Sequence, residues 1–180
     1  MPENRPHIPA ELERALFHEA GHRCAIPTCR QYEPLTVEHI EDWAKVEEHK
    51  FENLIVLCYN CHMRKKSKPS PRHLDRKALR QYKANLGLLN SRYGDFERRV
   101  IEVFSMNPGS RVITLTGGSD TNAIHLMRLL QDEMLAVVQA QPGDVRFVNG
   151  GVPTVEKYYL TDSGLELVEQ WKTAQPIKST

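Results

Sequence analysis

The sequence predicts an α+β protein built from two small folded parts with helices between them. All four cysteines lie between positions 24 and 61, in two closely spaced pairs. Apolar residues between positions 79 and 103 recur at alternating three- and four-residue steps, which is typical of helices. Beyond residue 107, short β-branched runs alternate with amphipathic stretches. We therefore divide the chain into a metal-stapled ββα unit (1–68), a basic helical connector (69–106), a small α+β domain (107–174) and a disordered tail (175–180).

The composition and the chain ends exclude several classes of protein. Charged residues make up 26% of the 180 positions and hydrophobic residues 40%, with a net charge of +1, which is typical of a globular protein. The longest apolar run, 54–59, is too short to span a bilayer. The N-terminus lacks the apolar core of a secretory signal, so we expect a cytoplasmic location. A reducing compartment favours metal-binding or catalytic cysteines over disulfides.

The cysteine spacing predicts a structural zinc site. Cys24 and Cys29 bracket a four-residue loop, whereas Cys58 and Cys61 have the two-residue spacing of a metal knuckle. Four thiolates complete a tetrahedral zinc site and leave no open position, which is the pattern of a structural ion. The alternatives are four buried thiols that act as small hydrophobes, or disulfides.

Between and after the cysteine pairs the sequence predicts two strands and a helix. Residues 34–40 alternate and contain β-branched side chains, and this predicted strand bears Glu38 and His39. A polar, acidic loop leads to a second apolar run that begins at Asn53. A helix is expected from His62 to Lys66, ending before the prolines at 69 and 71. A zinc ion would fasten the strand that bears Glu38 and His39 to this helix.

The order of these motifs resembles that of the HNH endonucleases, specifically their zinc-bearing subgroup. The resemblance extends over roughly residues 10–68 and is carried by Cys24, Cys29, Glu38, His39, Asn53, Cys58, Cys61 and His62. It implies a ββα fold around a divalent metal and the hydrolysis of phosphodiester bonds in DNA. Stand-alone bacterial proteins of this kind serve in restriction or phage defence. The alternative is a non-catalytic zinc-binding, DNA-binding or regulatory protein that retains the fold.

The resemblance also implies a role for each residue of the motif. His39 would be the general base, Glu38 and His62 would hold a catalytic Mg²⁺ or Mn²⁺, and Asn53 would bond the backbone near His39 and orient it. Many relatives carry aspartate where Glu38 stands. Because neighbouring side chains of a regular strand point to opposite faces, the strand must twist or bulge there, or His39 must turn inward from its end. The other histidines, His49 among them, are interpreted as ordinary surface or packing residues.

A stripe of positive charge follows the knuckle. Between positions 62 and 83 there are nine lysines and arginines against one acidic residue, Asp75. Beside a metal site this pattern is typical of a surface that binds a phosphate backbone. A solvated helix face without a partner is the alternative. The residues expected to bind nucleic acid are Arg64, Lys65, Lys66, Lys68, Arg72, Arg76 and Lys77.

The connector has an apolar seam with two interpretations. The spacing predicts helix over 75–105, continuous or bent near Gly94. Either the seam packs on neighbouring domains, or it joins two copies in a homodimer through residues 79–103. The seam consists of Leu79, Tyr82, Leu86, Leu89, Tyr93, Phe96, Val100 and Val103.

The last third of the chain loosely resembles a winged-helix domain. The sequence predicts a strand over 111–115, a helix over 121–131, a strand over 135–140 that turns at 141–144, and a strand over 156–160. Thr161 or Asp162 is expected to cap a last helix that ends near Trp171. Such a domain would position DNA or bind a protein partner.

Overall fold

The computed structural model describes residues 6–139, 148–149, 152–153 and 155–177. These residues form two compact units. The first comprises residues up to 88 together with 171–176, and the second comprises 89–170 and the residues from 177 onward. Their division falls inside the segment that the sequence analysis treats as a connector. Within the described ranges, no helix combines the length and the apolar character that crossing a membrane requires.

The first unit contains the expected ββα arrangement, and the α+β class is confirmed. Two strands, β1 (Leu35–His39) and β2 (Leu54–Cys58), pair antiparallel, with Glu38 opposite Ile55 and His39 opposite Leu54. Helix α3 (Tyr59–Lys66) follows β2 without a linker. The other elements are α1 (Ala10–Glu19), the short helix α2 (Trp43–Val46), a 3₁₀ turn (Phe51–Asn53) and α4 (Arg76–Arg92).

Strand β2 is buried along its whole length, which explains its unbroken apolar sequence. On one face, Leu54 and Val56 pack with Leu16 of α1. On the other face, Ile55 and Leu57 pack in a cluster that includes the four cysteines. Helix α4 contributes Leu79, Tyr82 and Leu86 to that same cluster. The strand next to the knuckle is therefore held from both sides by apolar contacts.

The apolar seam is used for internal packing, so the homodimer predicted through residues 79–103 is not supported. Six of its eight residues are buried within the chain, and only Phe96 and Val103 are exposed, by 40% and 47%. The seam is also interrupted, because α4 ends at Arg92 and α5 begins at Asp95. A three-four spacing is common to coiled coils and to helices that pack on their own domain, so the spacing alone does not distinguish them.

The second unit consists of a three-stranded antiparallel sheet with helices, and its strands lie in the order β3 (Val112–Thr116), β7 (Val155–Leu160) and β4 (Leu135–Val137). Along the chain, a helix, a strand, two helices, four strands and a helix follow one another. The elements are α5 (Asp95–Met106), β3 (Val112–Thr116), α6 (Ser119–His125), α7 (Met127–Gln131), β4 (Leu135–Val137), β5 (Val148–Asn149), β6 (Val152–Pro153), β7 (Val155–Leu160) and α8 (Asp162–Lys172). Strands β5 and β6 pair as a separate two-residue ladder.

The helix predicted over 121–131 is instead two short helices that meet at Leu126. The buried carboxylate of Glu97 explains the break. Its Oε1 accepts hydrogen bonds from the backbone N–H groups of Arg128 (2.7 Å) and Leu129 (3.0 Å). A carboxylate that binds the first N–H groups of a helix fixes where that helix begins.

Two boundaries predicted for the C-terminal part are wrong, and one cap is confirmed. Strand β4 ends at Val137 rather than at residue 140, and the turn expected at 141–144 lies outside the described residues. The tail is not disordered from residue 175, because the Gln175 carbonyl accepts a hydrogen bond from the Asn85 amide at 2.9 Å. The hydroxyl of Thr161 accepts a hydrogen bond from the backbone N–H of Gly164 at 3.0 Å, so it caps α8 as expected.

Candidate active site

The four cysteines form one cluster at the junction of β2 and α3. Their sulfur atoms all lie within 4.8 Å of one another, and those of Cys29 and Cys58 are 3.6 Å apart. In a tetrahedral zinc site with Zn–S bonds of about 2.3 Å, the sulfurs lie about 3.8 Å apart. All four are free cysteines, so the disulfide alternative is wrong. The cluster is compatible with a structural zinc ion.

The electrostatics of the cluster favour a thiolate at Cys24, whereas burial raises the pKa of Cys29. A hydrogen bond from the Cys61 thiol, opposed in part by burial, lowers the pKa of Cys24 to about 5. The same hydrogen bond, together with burial, raises the pKa of Cys61 far above its usual range. Arg64 adds a positive donor, because its guanidinium lies 3.8 Å from the Cys61 sulfur. Zinc binds cysteine as the thiolate, so a site that stabilises a negative sulfur suits the ion.

A second group of polar side chains lies where β1 meets α3. Glu38 extends from the strand, and His62 and Lys65 extend from the helix, three residues apart and therefore on one face. Glu38 Oε1 lies 2.7 Å from His62 Nδ1, and Glu38 Oε2 lies 3.5 Å from Lys65 Nζ. Less than a fifth of each side chain is exposed. The structure therefore brings together the two residues expected to hold the catalytic metal.

The geometry between Glu38 and His62 fits a shared ion. His62 Nδ1 is buried, and no atom in the described part of the chain forms a hydrogen bond with it, although Glu38 is near. Two adjacent ligands of an octahedral ion, each about 2.1 Å from the metal, are about 3.0 Å apart. A carboxylate oxygen and an imidazole nitrogen at nearly this separation are suitable ligands for one divalent metal ion.

His39 lies at the last position of β1 and is 3% exposed. The β1–β2 pairing is regular through His39, so the strand does not bulge between Glu38 and His39. The imidazole Nε2 lies 3.2 Å from Nδ1 of His49. The ring also meets the edge of Trp43, with the ring centres 5.5 Å apart. His39 therefore contacts side chains that follow β1, whereas Glu38 contacts side chains of helix α3.

Asn53 forms hydrogen bonds with the backbone just beyond His39. Its side-chain oxygen accepts a hydrogen bond from the backbone N–H of Glu41 at 2.8 Å, and its amide donates to the Glu41 carbonyl at 3.1 Å. The Asn53 carbonyl also accepts from the backbone N–H of Ile40 at 2.7 Å. Three hydrogen bonds therefore fix the turn that follows His39.

Comparison with protein families matches residues 22–68 to the HNH endonucleases. This segment is an HNH domain. The matched range contains both cysteine pairs, β1, β2 and α3, and therefore Glu38, His39, Asn53 and His62. Comparison with curated proteins found no match, and comparison with solved structures found none either.

The basic residues after the HNH knuckle divide into two sets. Several are occupied by acidic or sulfur partners: Lys65 lies beside Glu38, Arg64 beside Cys61, and Arg76 and Arg80 form ion pairs with Glu41 and Asp42. Lys83 is buried against Glu19 and the ring of Phe51. The remaining four are exposed and form no ion pair within the described ranges: Lys66, Lys68, Arg72 and Lys77. The predicted nucleic-acid surface is therefore narrower than the sequence stripe.

Sequence reasoning missed two neighbours of the HNH site, His49 and Trp43. Both rings contact His39, and their own ring centres lie 4.6 Å apart. His39 and His49, which form this hydrogen bond, are ten positions apart in the sequence, on either side of the short helix α2. No ligand spacing or periodicity marks such a contact, so the sequence carried no signal for it.

Proposed function

We propose that the HNH domain is a metal-dependent endonuclease that hydrolyses phosphodiester bonds of DNA. The observation that carries this proposal is the pair Glu38 Oε1 and His62 Nδ1, two atoms that can ligate a metal, which lie 2.7 Å apart on side chains that are less than a fifth exposed. The family match supports the reaction class.

Each residue of the site has a separate role in the proposed reaction. Glu38 and His62 would hold Mg²⁺ or Mn²⁺, which would supply positive charge for the phosphate and the leaving oxygen. His39 accepts a proton from the attacking water, as general base. Asn53 holds the turn after His39 through its bonds to Glu41, so it orients the base and does not itself react. Lys65 neutralises the second oxygen of Glu38.

The cysteine cluster has a structural role in this proposal. His62 directly follows Cys61, so an ion that fixes Cys61 also fixes the first turn of α3, from which His62 projects. The Cys24–Cys29 loop is joined to the same point. We therefore assign Zn²⁺ to the four cysteines, because a closed thiolate site stabilises a fold without taking part in chemistry.

A plasmid-nicking assay with Glu38→Gln tests the metal site. The substitution keeps the shape of the side chain but removes the negative charge that attracts a divalent ion. We expect a cleavage rate about 10- to 100-fold lower at limiting Mg²⁺ or Mn²⁺, with partial recovery as the metal concentration rises. A dose–response curve in each metal measures the shift.

The control is Glu52→Gln, which removes the same charge from an exposed position of the 3₁₀ turn. It should leave the metal dependence unchanged. A Glu38→Gln variant with the wild-type metal curve would contradict the assignment of Glu38 as a ligand. If the wild type binds DNA but cuts it with none of these metals, the non-catalytic DNA-binding alternative holds instead.

We propose that DNA contacts the four exposed cations after the knuckle. Lys66→Gln with Lys68→Gln should weaken DNA binding and reduce the slope of log affinity against log salt by about 2, because each phosphate contact contributes about 0.9. Fluorescence anisotropy over a salt series measures both quantities. The loss should be nearly uniform across DNA sequences, since phosphate contacts carry no base information.

The chain offers a matched control for this pair. Arg76→Gln with Arg80→Gln also removes two positive charges, but these guanidinium groups are already paired with Glu41 and Asp42. This double variant should change the salt slope less. If both double variants change the salt slope equally, the intramolecular ion pairs do not determine which cations bind the phosphates.

A further inference from the structure

We propose that His49 is a positioning residue that fixes the tautomer of neutral His39, with the hydrogen on Nε2. This inference rests on the proposed function, in which His39 is the base. It concerns a histidine that the motif does not include and that lies in the loop before the 3₁₀ turn. A backbone carbonyl and two imidazole rings form a chain of hydrogen bonds at this point.

The carbonyl of Pro6 sets the direction of the chain of hydrogen bonds. His49 Nε2 lies 3.0 Å from this oxygen, and a carbonyl oxygen can only accept, so Nε2 carries the hydrogen. In a neutral ring the other nitrogen, Nδ1, is then an acceptor. His49 Nδ1 lies 3.2 Å from His39 Nε2, so Nε2 of His39 must donate. A neutral His39 therefore has its lone pair on Nδ1.

The surroundings make the opposite tautomer costly. His39 is almost fully buried, and His49 is stacked at a tilt on Trp43. If His39 carried its hydrogen on Nδ1 while His49 kept its bond to Pro6, two nitrogen lone pairs would face each other. A buried polar atom left without a hydrogen bond destabilises the arrangement that contains it. The pair therefore has one favoured set of hydrogen positions.

The consequence for the reaction is that His39 is constrained twice. Asn53 fixes the backbone beyond it, whereas His49 fixes the ring and the location of its lone pair. A base that populates two tautomers presents the wrong nitrogen for part of the time. Hydrogen-bond partners that orient metal-binding histidines contribute about 10- to 100-fold to metal affinity or activity, and we expect an effect of the same order for His39.

The tautomer can be observed without any cleavage. Two-bond ¹H–¹⁵N correlation spectra of zinc-loaded protein with labelled histidines, recorded at about pH 8, distinguish the Nε2–H from the Nδ1–H form. We expect both His39 and His49 as Nε2–H. In His49→Ala, the signals of His39 should move toward a mixture of the two forms. An Nδ1–H form of His39 in the wild type overturns the inference.

Kinetics of three variants test the effect on the reaction. His49→Ala should lower kcat about 10- to 100-fold with little change in KM. His49→Asn places an acceptor oxygen near the former Nδ1 and should recover most of the rate and the Nε2–H signal of His39. His49→Gln carries its amide farther out, toward Pro6, and should recover neither.

The control is His18→Ala at an exposed position of α1, which should match the wild type. Wild-type kcat in His49→Ala overturns the positioning role. If His49→Ala fails to fold, the contrast between His49→Asn and His49→Gln still decides. An inactive wild type with both rings as Nε2–H would overturn the proposed function but not the hydrogen-bond chain.

Discussion

Replacing His39 with alanine should abolish DNA cleavage while zinc content and DNA affinity remain nearly unchanged. A general base acts only on the proton of the attacking water, and its loss typically lowers a rate about 10²- to 10⁴-fold. The zinc cluster and the exposed lysines do not include His39, so neither property depends on it. Nicking of supercoiled plasmid, metal analysis and anisotropy measure the three quantities.

The burial of His39 calls for a second variant, because alanine leaves a void beside Trp43 and His49. His39→Gln fills more of that space but has no basic nitrogen, so it should be equally inactive and more stable. Cleavage at near the wild-type rate by either variant would show that another group activates the water.

Replacing Cys58 or Cys61 with serine should release zinc and unfold the first unit. The apparent free energy of structural zinc binding is about 10–16 kcal/mol, as large as the whole stability of a typical domain. Both side chains are buried among Leu57, Leu79 and Tyr82, so their loss also disturbs the core. Metal analysis and thermal melting followed by circular dichroism should show the two losses together.

The control lies in the same loop as the first cysteine pair. Thr28 is exposed between Cys24 and Cys29, so Thr28→Ser should keep both zinc and the melting temperature. A chelator added to the wild type should reproduce the effect of the cysteine variants. A serine variant that remains folded with one equivalent of zinc would disprove a four-cysteine site.

The parts of the fold that local patterns control were predictable from the sequence. Alternation predicted β1, and the unbroken apolar run predicted β2. The helix expected from His62 to Lys66 is present but begins three residues earlier, at Tyr59. The cysteine spacing predicted a cluster that the structure confirms. Each of these features is determined by residues only a few positions apart.

The features that sequence reasoning missed depend on contacts between distant residues. The break at Leu126 results from Glu97, about thirty residues earlier, and the contact of Arg76 with Asp42 spans 34 residues. The predicted homodimer is not supported for a similar reason, since most residues of the seam are buried within the same chain. No periodicity contains this information.

Because residues 171–176 belong to the first unit, that unit cannot form all its contacts until late in synthesis. Tyr82 and Asn85 donate hydrogen bonds to the carbonyls of Lys172 and Gln175, each 90 residues later in the chain. A ribosome releases the HNH motif long before it has made these acceptors. Domains generally fold as units while they are synthesised, so the first unit gains its last contacts only after the second has been translated. A nascent chain that stalls before residue 171 would expose an HNH motif that still lacks its contacts with residues 171–176.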